Sequence, residues 1–330
     1  MKILTISIAA YNVEKYLKKA LSSLNIPELS TDLEVIIEDD GSFDKTASIA
    51  RSFVKKNPEI FKLNTTQNGG YGATINRSIS IATGKYFKQL DGDDWFITEN
   101  IFSFINFLKK IDSDLVISPY KRFNEKSENY EIVDRHKASA TSENINTYFE
   151  EQNIDIHLHE LTIKTEILSQ NHISIQKHCF FTDNEYVFYP ILYSKTISFF
   201  DKPIYCYRIG TNEQSVSING RKKHWKDAGI VLERLINAYN AKQEAIDESK
   251  KKNLFGMLLD LTRFEYENCA ITDNLKESIP YLKNIDFYIK VNNKKLYSET
   301  NKRYKSIKLL RKSKFYLLPL YRRYLYNKLG

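Results

Sequence analysis

Tyr86-Phe87-Lys88-Gln89-Leu90-Asp91-Gly92-Asp93-Asp94-Trp95 runs an apolar-rich segment straight into three carboxylates within four residues. The first half reads as a strand and the second as the turn at its carboxyl end. Carboxylates this close raise one another's pKa and repel, so they call for a counter-charge. A hard divalent cation, Mg²⁺ or Mn²⁺, supplies it by taking one or two protein carboxylates plus the oxygens of a phosphate-bearing ligand. A solvated acidic turn is the plain alternative, and the rest of the chain decides between the two.

Upstream, residues 3–10 (Ile-Leu-Thr-Ile-Ser-Ile-Ala-Ala) are apolar on both faces, as a buried parallel strand is. Tyr11-Asn12 ends it, with Asn12 the expected N-cap of a helix through about Leu24. Residues 33–38 read as a second strand, followed by the turn Asp39-Asp40-Gly41-Ser42, with Ser42 capping a helix over 43–56. Residues 61–65 are a third strand, Gln67-Asn68-Gly69-Gly70-Tyr71-Gly72 a glycine-rich loop, and Gly84 stops the helix after it. Strand–helix alternation with short connections implies right-handed βαβ units and a mostly parallel sheet. In such sheets ligands bind beyond the carboxyl ends of the strands. The polar clusters at 11–12, 39–40, 68–72 and 91–94 therefore converge on one rim. Three of them precede helices, whose N-termini favour anions such as a diphosphate. A dinucleotide-binding protein would place G-x-G-x-x-G in the first turn, but Ala9-Ala10-Tyr11-Asn12-Val13 has no glycine.

Four segments carry a resemblance. Ile8-Ala9-Ala10-Tyr11-Asn12 stands where a PxYN strand end is usual, and Asp39-Asp40-Gly41-Ser42-Phe43-Asp44-Lys45-Thr46 matches DDGS-x-D-x-T. Asn68, Gly70, Asn76, Ile79, Ala82, Gly84 and Tyr86 match a third pattern, and Asp91-Gly92-Asp93-Asp94 supplies D-x-D-D. In order and spacing these resemble the family 2 glycosyltransferases, bacterial polysaccharide and glycolipid enzymes among them. The resemblance implies the GT-A fold, a Rossmann-like α/β sheet, mostly parallel and flanked by helices, here with a C-terminal helical region. By it, Asp39 would bond the base edge of a nucleotide sugar, UDP by preference. Asp91 would meet the ribose or a metal-bound water, and Asp93 would ligate the metal bridging the diphosphate. Ala10, Tyr11, Asn12, Asp40, Asn68, Gly69, Gly70, Asn76 and Gly92 would line the donor, and Asp94 and Trp95 the acceptor side. Two departures stand out: Ala9 replaces the proline, and Ile75 replaces the arginine that often precedes the asparagine, leaving Arg77 as a substitute.

Thr98 is the expected N-cap of a helix, with a strand over 114–118 after it and a polar acceptor-side excursion over 119–153. Ile154-Asp155-Ile156-His157-Leu158-His159 alternates, which puts both histidines on one face of a strand. With no third ligand at a supporting spacing, this favours structural histidines over a zinc site, though His159 could line the acceptor pocket. In Phe180-Phe181-Thr182-Asp183-Asn184-Glu185-Tyr186, Asp183 matches the family's general base, with Glu185 as fallback; capping of helix 184–193 is the structural alternative. A β-pair is expected at 195–200 and 203–208. Tyr205-Cys206-Tyr207-Arg208 through Gln214-Ser215-Val216-Ser217 resembles the segment that closes the family's site, with Arg208 available to phosphate. The Q-x-x-R-W motif of processive synthases is absent, so one sugar per encounter is expected.

The chain has 330 residues, 42% hydrophobic and 13% aromatic, enough for a substantial core. A catalytic domain over 1–220 and a helical region over 221–330 are expected. Cys179, Cys206 and Cys269 are too few and too spread for a disulfide framework, which fits a reducing compartment. No signal peptide or membrane span is evident. The net charge of +8 is concentrated: residues 301–330 hold ten Lys/Arg and no Asp/Glu, leaving 39 basic and 41 acidic side chains, a net of −2, over 1–300. The body therefore has no nucleic-acid-binding charge. The closing segment interleaves its cations with aromatic and aliphatic residues around a kink at Pro319, which suits an amphipathic helix on an anionic membrane surface. The resemblance implies a metal-dependent, inverting glycosyltransferase acting on a saccharide or lipid-linked acceptor in cell-surface polysaccharide synthesis, and the cysteines and basic tail add the expectation that it is cytoplasmic and peripheral at the inner membrane face. A nucleotidyltransferase and an inactive membrane-docking protein of the same fold are the alternatives.

Overall fold

Burial on both faces organises the N-terminal half of the chain. In the computed structural model, which describes residues 1–136, 143–151, 155–210 and 217–329, β1 (Lys2–Ala10), α1 (Glu14–Ser23), β2 (Leu33–Asp39), α2 (Thr46–Lys56), β3 (Phe61–Thr65), α3 (Tyr71–Ile81) and β4 (Gly84–Asp91) alternate. β1 pairs in parallel with β2 and β4, and β2 with β3, so Ile8 lies between Ile37 and Leu90. Every residue of β2 is buried. α1 covers the sheet with Leu17, Ala20 and Leu21, the i, i+3, i+4 stripe of an amphipathic helix.

The chain continues through β5 (Trp95–Phe96), α4 (Thr98–Lys110), β6 (Leu115–Ile117), β7 (Tyr120–Asn124), β8 (Asn129–Val133), β9 (Glu143–Asn144), α5 (Ile145–Glu151), β10 (Leu161–Lys164), α6 (Thr165–Gln170), α7 (Asp183–Tyr193), β11 (Thr196–Phe199) and β12 (Tyr205–Ile209). The main sheet has the order β3-β2-β1-β4-β10-β6-β11-β9, with β10 antiparallel to both neighbours. A second sheet, β5-β12-β7-β8, was not expected: β7 and β8 form a hairpin inside the supposed excursion over 119–153. The expected pairing of 195–200 with 203–208 also fails. β11 pairs with β6 and β9 in the main sheet, while β12 pairs with β5 and β7 in the second. The described part of 154–159 is a turn rather than a strand, closed by Glu160 N–H donating to the His157 carbonyl at 3.1 Å. Thr98 does not cap α4; it is the first helical residue, and its hydroxyl donates to the Ser23 carbonyl at 3.0 Å.

Contacts divide the chain into two compact units, Met1–His178 with Tyr189–Thr211, and Cys179–Phe188 with Asn212–Gly330. The second contains α8 (Ile218–Lys223), α9 (Asp227–Lys242), α10 (Glu248–Ile271), α11 (Leu275–Asn292), α12 (Lys294–Arg303), α13 (Lys305–Lys312) and α14 (Leu318–Leu329). Its core gathers Tyr266, Cys269, Leu282, Ile307, Leu310, Phe315, Leu318 and Leu325. The basic tail is therefore not one kinked helix. Pro319 stands in the first turn of α14, where its missing N–H is no loss, and half of the tail's apolar residues point into this core. No helix among the described residues is long and apolar enough to cross a membrane.

Candidate active site

The carboxyl ends of β1, β2 and β4 bring three of the polar clusters to one rim, and the first two brace each other. Asn12 adopts the left-handed conformation (φ 53°), which asparagine tolerates, so it cannot serve as the N-cap of α1. Its Oδ1 instead accepts from Phe43 N–H at 2.9 Å, while its own N–H donates to Ser42 Oγ at 3.0 Å. Val13 N–H donates to Thr46 Oγ1 at 2.9 Å, Glu14 N–H to Asp44 Oδ2 at 3.0 Å, and Lys45 N–H to Glu14 Oε2 at 2.8 Å. Ser42 thus caps across to the α1 loop, not its own helix, and the helix N-termini of α1 and α2 are capped reciprocally. This explains Asp44 and Thr46 in the second motif as architecture. Ala10 is buried, its carbonyl accepting from Asp40 N–H at 2.9 Å, while Tyr11 and Phe43 stand exposed with rings 6.5 Å apart, edge to face.

Asp39 is buried and its Oδ1 accepts from Ser42 N–H at 3.1 Å. Asp40 holds the glycine loop: it accepts from Gly69 N–H at 3.0 Å, Gly70 N–H at 2.8 Å and Arg77 Nη2 at 2.8 Å. Gly70 needs its lack of a side chain, with φ at 80°. Arg77 also donates through Nε to Glu38 at 2.7 Å, so it clamps the loop's anchor. Asn76 exchanges two hydrogen bonds with the backbone of Ile175, at 2.7 and 2.8 Å, fastening that segment to α3. Asn68 is exposed.

The acidic turn is built differently. Gly92 lets it press on β1, since a Cβ there would stand 2.7 Å from the Ala9 carbonyl oxygen. Asp91 Oδ1 accepts from Tyr71 OH at 2.6 Å. Asp94, 1% exposed, accepts from Tyr205 OH at 2.5 Å and from Arg208 N–H at 2.7 Å. Burial, then the Asp93 and Asp91 charges, push the Asp94 carboxyl well above the usual range. Asp93 is part-exposed, and its carbonyl accepts from Arg208 Nε at 2.9 Å. Arg208 is buried with its guanidinium 5.0 Å over the Trp95 ring, and it reaches Glu125 at 3.3 Å. The arginine expected at a phosphate thus braces the acidic turn, and Trp95, expected on the acceptor side, is buried beneath Lys19 and beside Phe123.

His159 joins this turn from the 157–160 segment. Its imidazole lies between the rings of Tyr120 (5.1 Å) and Tyr207 (4.1 Å), and a nitrogen of it lies within 4.8 Å of carboxylate oxygens of Asp91 and Asp94. Burial, with His157 and Lys88 adding to it, pushes His159 down to about 3, so the ring is neutral and able to ligate a cation. Two oxygens and one imidazole nitrogen suit Mn²⁺, and the carboxylates alone suit Mg²⁺. The His157 imidazole meets Tyr120 OH at 3.3 Å, and among the described residues it is not part of the Asp91–Asp94–His159 cluster.

Tyr71, Tyr205, Phe43 and Lys88 were given no individual role in the sequence reading. Lys88 carried the one usable signal, a lysine in the middle of a strand flanked by Tyr86, Phe87 and Leu90. It is fully buried, donates to the carbonyls of His159 and Leu161 at 2.9 and 3.0 Å, and burial pushes it down to about 7. It therefore fixes the turn that presents His159.

Asp183 and Glu185 lie in the second unit, in the first turn of α7. Asp183 is exposed, yet desolvation of its carboxyl pushes it above the ordinary aspartate value, against the lowering effect of the Asn184 backbone N–H. Glu185 is fully buried and ion-paired to Arg234. Of the segment expected to close the site, Gln214, Ser215 and Val216 lie outside the described residues.

An open sheet of this order, with its polar rim at the strand ends, defines the GT-A class of fold, and the solved structures agree. Residues 1–349 of S. aureus TarS match over 98% of this chain and 89% of that one, with a TM-score of 0.67 at 18% identity. The same protein in complex with UDP-GlcNAc matches with a TM-score of 0.59 over 92% of each chain. The family model "Glycosyl transferase family 2" matches residues 5–172, and the chain belongs to that family. An uncharacterised glycosyltransferase of Rickettsia prowazekii is 30% identical over 159 residues, 48% of this chain and 46% of the relative. The poly(ribitol-phosphate) beta-glucosyltransferase of Bacillus spizizenii is 36% identical over 126 residues, 38% of this chain and 20% of the relative. The chain thus covers less than half the length of these relatives.

Proposed function

We propose that this glycosyltransferase moves a sugar from a UDP-type donor to a saccharide or lipid-linked acceptor with inversion, one residue per encounter, in cell-surface polysaccharide synthesis. The observation that carries the reading is the acidic turn. It gathers three carboxylates, Asp91 and Asp94 have oxygens within 4.8 Å of a His159 nitrogen, and the Arg208 guanidinium beside it is paired to Glu125, so a divalent cation is the counter-charge that fits the turn. The relatives point the same way: a poly(ribitol-phosphate) glucosyltransferase is among them, and the matching TarS structure holds UDP-GlcNAc.

Asp93 and Asp91 are the proposed protein ligands of Mg²⁺ or Mn²⁺; Asp91 is also the member this pair shares with the Asp91–Asp94–His159 cluster, in which Asp93 has no part. When bound, such an ion supplies Lewis acidity towards the departing diphosphate. Asp39 would bond the base edge, and the exposed Tyr11 and Phe43 rings offer it stacking surface. Asp183 accepts the proton of the acceptor hydroxyl as that oxygen attacks the anomeric carbon. A raised pKa suits this task, because a base is most effective when its pKa lies near the working pH. Glu185, ion-paired to Arg234, is the weaker candidate.

The test is transfer from radiolabelled UDP-sugars with Mn²⁺. Asp183→Asn should lower kcat by about 10²–10⁴-fold while UDP binding stays unchanged. The wild-type acid limb of kcat should lie above the ordinary aspartate value of 3.8, with activity falling as pH drops through it. If Asp183→Asn turns over normally and Glu185→Gln does not, the base is misassigned.

A further inference from the structure

We propose that the groove lined by α10, α13 and α14 in the second unit binds the phosphate headgroup and chain of an anionic membrane lipid. The inference rests on the reading of an enzyme that works at a membrane surface, and it names where the lipid sits. The tail's apolar residues divide sharply. Ile307, Leu310, Phe315, Leu318 and Leu325 are core, whereas Leu309 (55% exposed), Leu320 (65%) and Tyr324 (58%) remain in water. Single exposed apolar side chains are ordinary on a protein surface. These three, with Leu317, line one concave groove of ≈ 580 Å³, within the size range of ligand sites.

Charge selects the occupant. Arg263, Arg303, Lys305 and Lys328 line the same groove. Arg263 and Arg303 share one carboxylate, Asp260, at 3.9 and 3.7 Å, and its Oδ1 already accepts from Tyr304 OH at 2.6 Å. Lys305 and Lys328 have no ion pair among the described residues, and Glu267, the groove's acid, is paired to Arg221 at 3.2 Å. The lining is therefore cationic around an apolar floor. A lipid phosphate with its chain satisfies both parts, because the headgroup meets the cations while the chain covers Leu309, Leu320 and Tyr324. An RNA would answer the charge and leave the apolar residues in water.

The full chain should co-sediment with phosphatidylcholine vesicles containing phosphatidylglycerol and not with phosphatidylcholine alone. A Lys near an anionic surface contributes ~1 kcal/mol, so Lys305→Gln with Lys328→Gln should weaken binding about 30-fold. Leu320→Ser with Tyr324→Ser, both at exposed positions, should weaken it about tenfold or more with the unfolding midpoint unchanged. Dihexanoyl-phosphatidylglycerol should raise Tm in the wild type and in neither double variant. Undiminished vesicle binding by both variants, no Tm shift with the short lipid, or binding of oligouridylate in place of the vesicles would each overturn the site. A UDP-induced Tm shift measured on the same proteins reports donor binding separately, so failure of the lipid site is distinguishable from failure of the donor reading.

Discussion

Asp40 and Asp93 both follow strands of one sheet, and their surroundings differ. Asp40 is 2% exposed, and its carboxylate accepts from two loop N–H groups and a guanidinium. Asp93 is part-exposed, and Arg208 holds it by the backbone carbonyl. One carboxylate is bonded into the loop it anchors; the other belongs to a part-exposed residue fixed through its backbone, and it is the proposed cation ligand. The same residue type at equivalent strand ends therefore serves two ends, and identity within a motif does not tell them apart.

Stability measurements can break this comparison. Asp40→Ala leaves Gly69 N–H, Gly70 N–H and Arg77 without their acceptor, and should cost about 3 kcal/mol in urea unfolding, with Arg77's partial exposure limiting the loss. Tyr205→Phe removes one buried hydrogen bond to Asp94 and should cost about 1–2 kcal/mol by the same assay. A loss from Tyr205→Phe as large as that from Asp40→Ala would make the acidic turn scaffolding too. Asp93→Asn stands at the small end, within about 0.5 kcal/mol of wild type, because the residue is part-exposed and the Arg208 bond to its backbone carbonyl survives the change.

The sheet was legible because 3–10 and the Val35-Ile36-Ile37 run are apolar on both faces as buried parallel strands are, and short strand–helix alternation carried the pattern on to 85–90. The rim followed from strand order alone. The second sheet was not legible: β5 has two residues, β8 is mostly exposed, and β12 pairs with β5 and β7 across about 80 to 110 residues of sequence. Caps were misread for a related reason. Asn12 and Ser42 have the right chemistry for their own helices, but the close approach of the α1 and α2 N-termini offers better partners across the gap. In the tail the charge was legible while the division of apolar residues between core and groove was not, since Leu309 and Leu310 are neighbours with opposite fates.

The central claim, that Asp93 holds a cation that in turn holds the donor, is tested most directly by titrating Mn²⁺ against the protein with and without UDP, following free Mn²⁺ by its EPR signal. UDP should tighten Mn²⁺ binding in the wild type by about tenfold or more, and Asp93→Asn should abolish that coupling while the protein stays folded. Coupling that survives unchanged in Asp93→Asn would contradict the account.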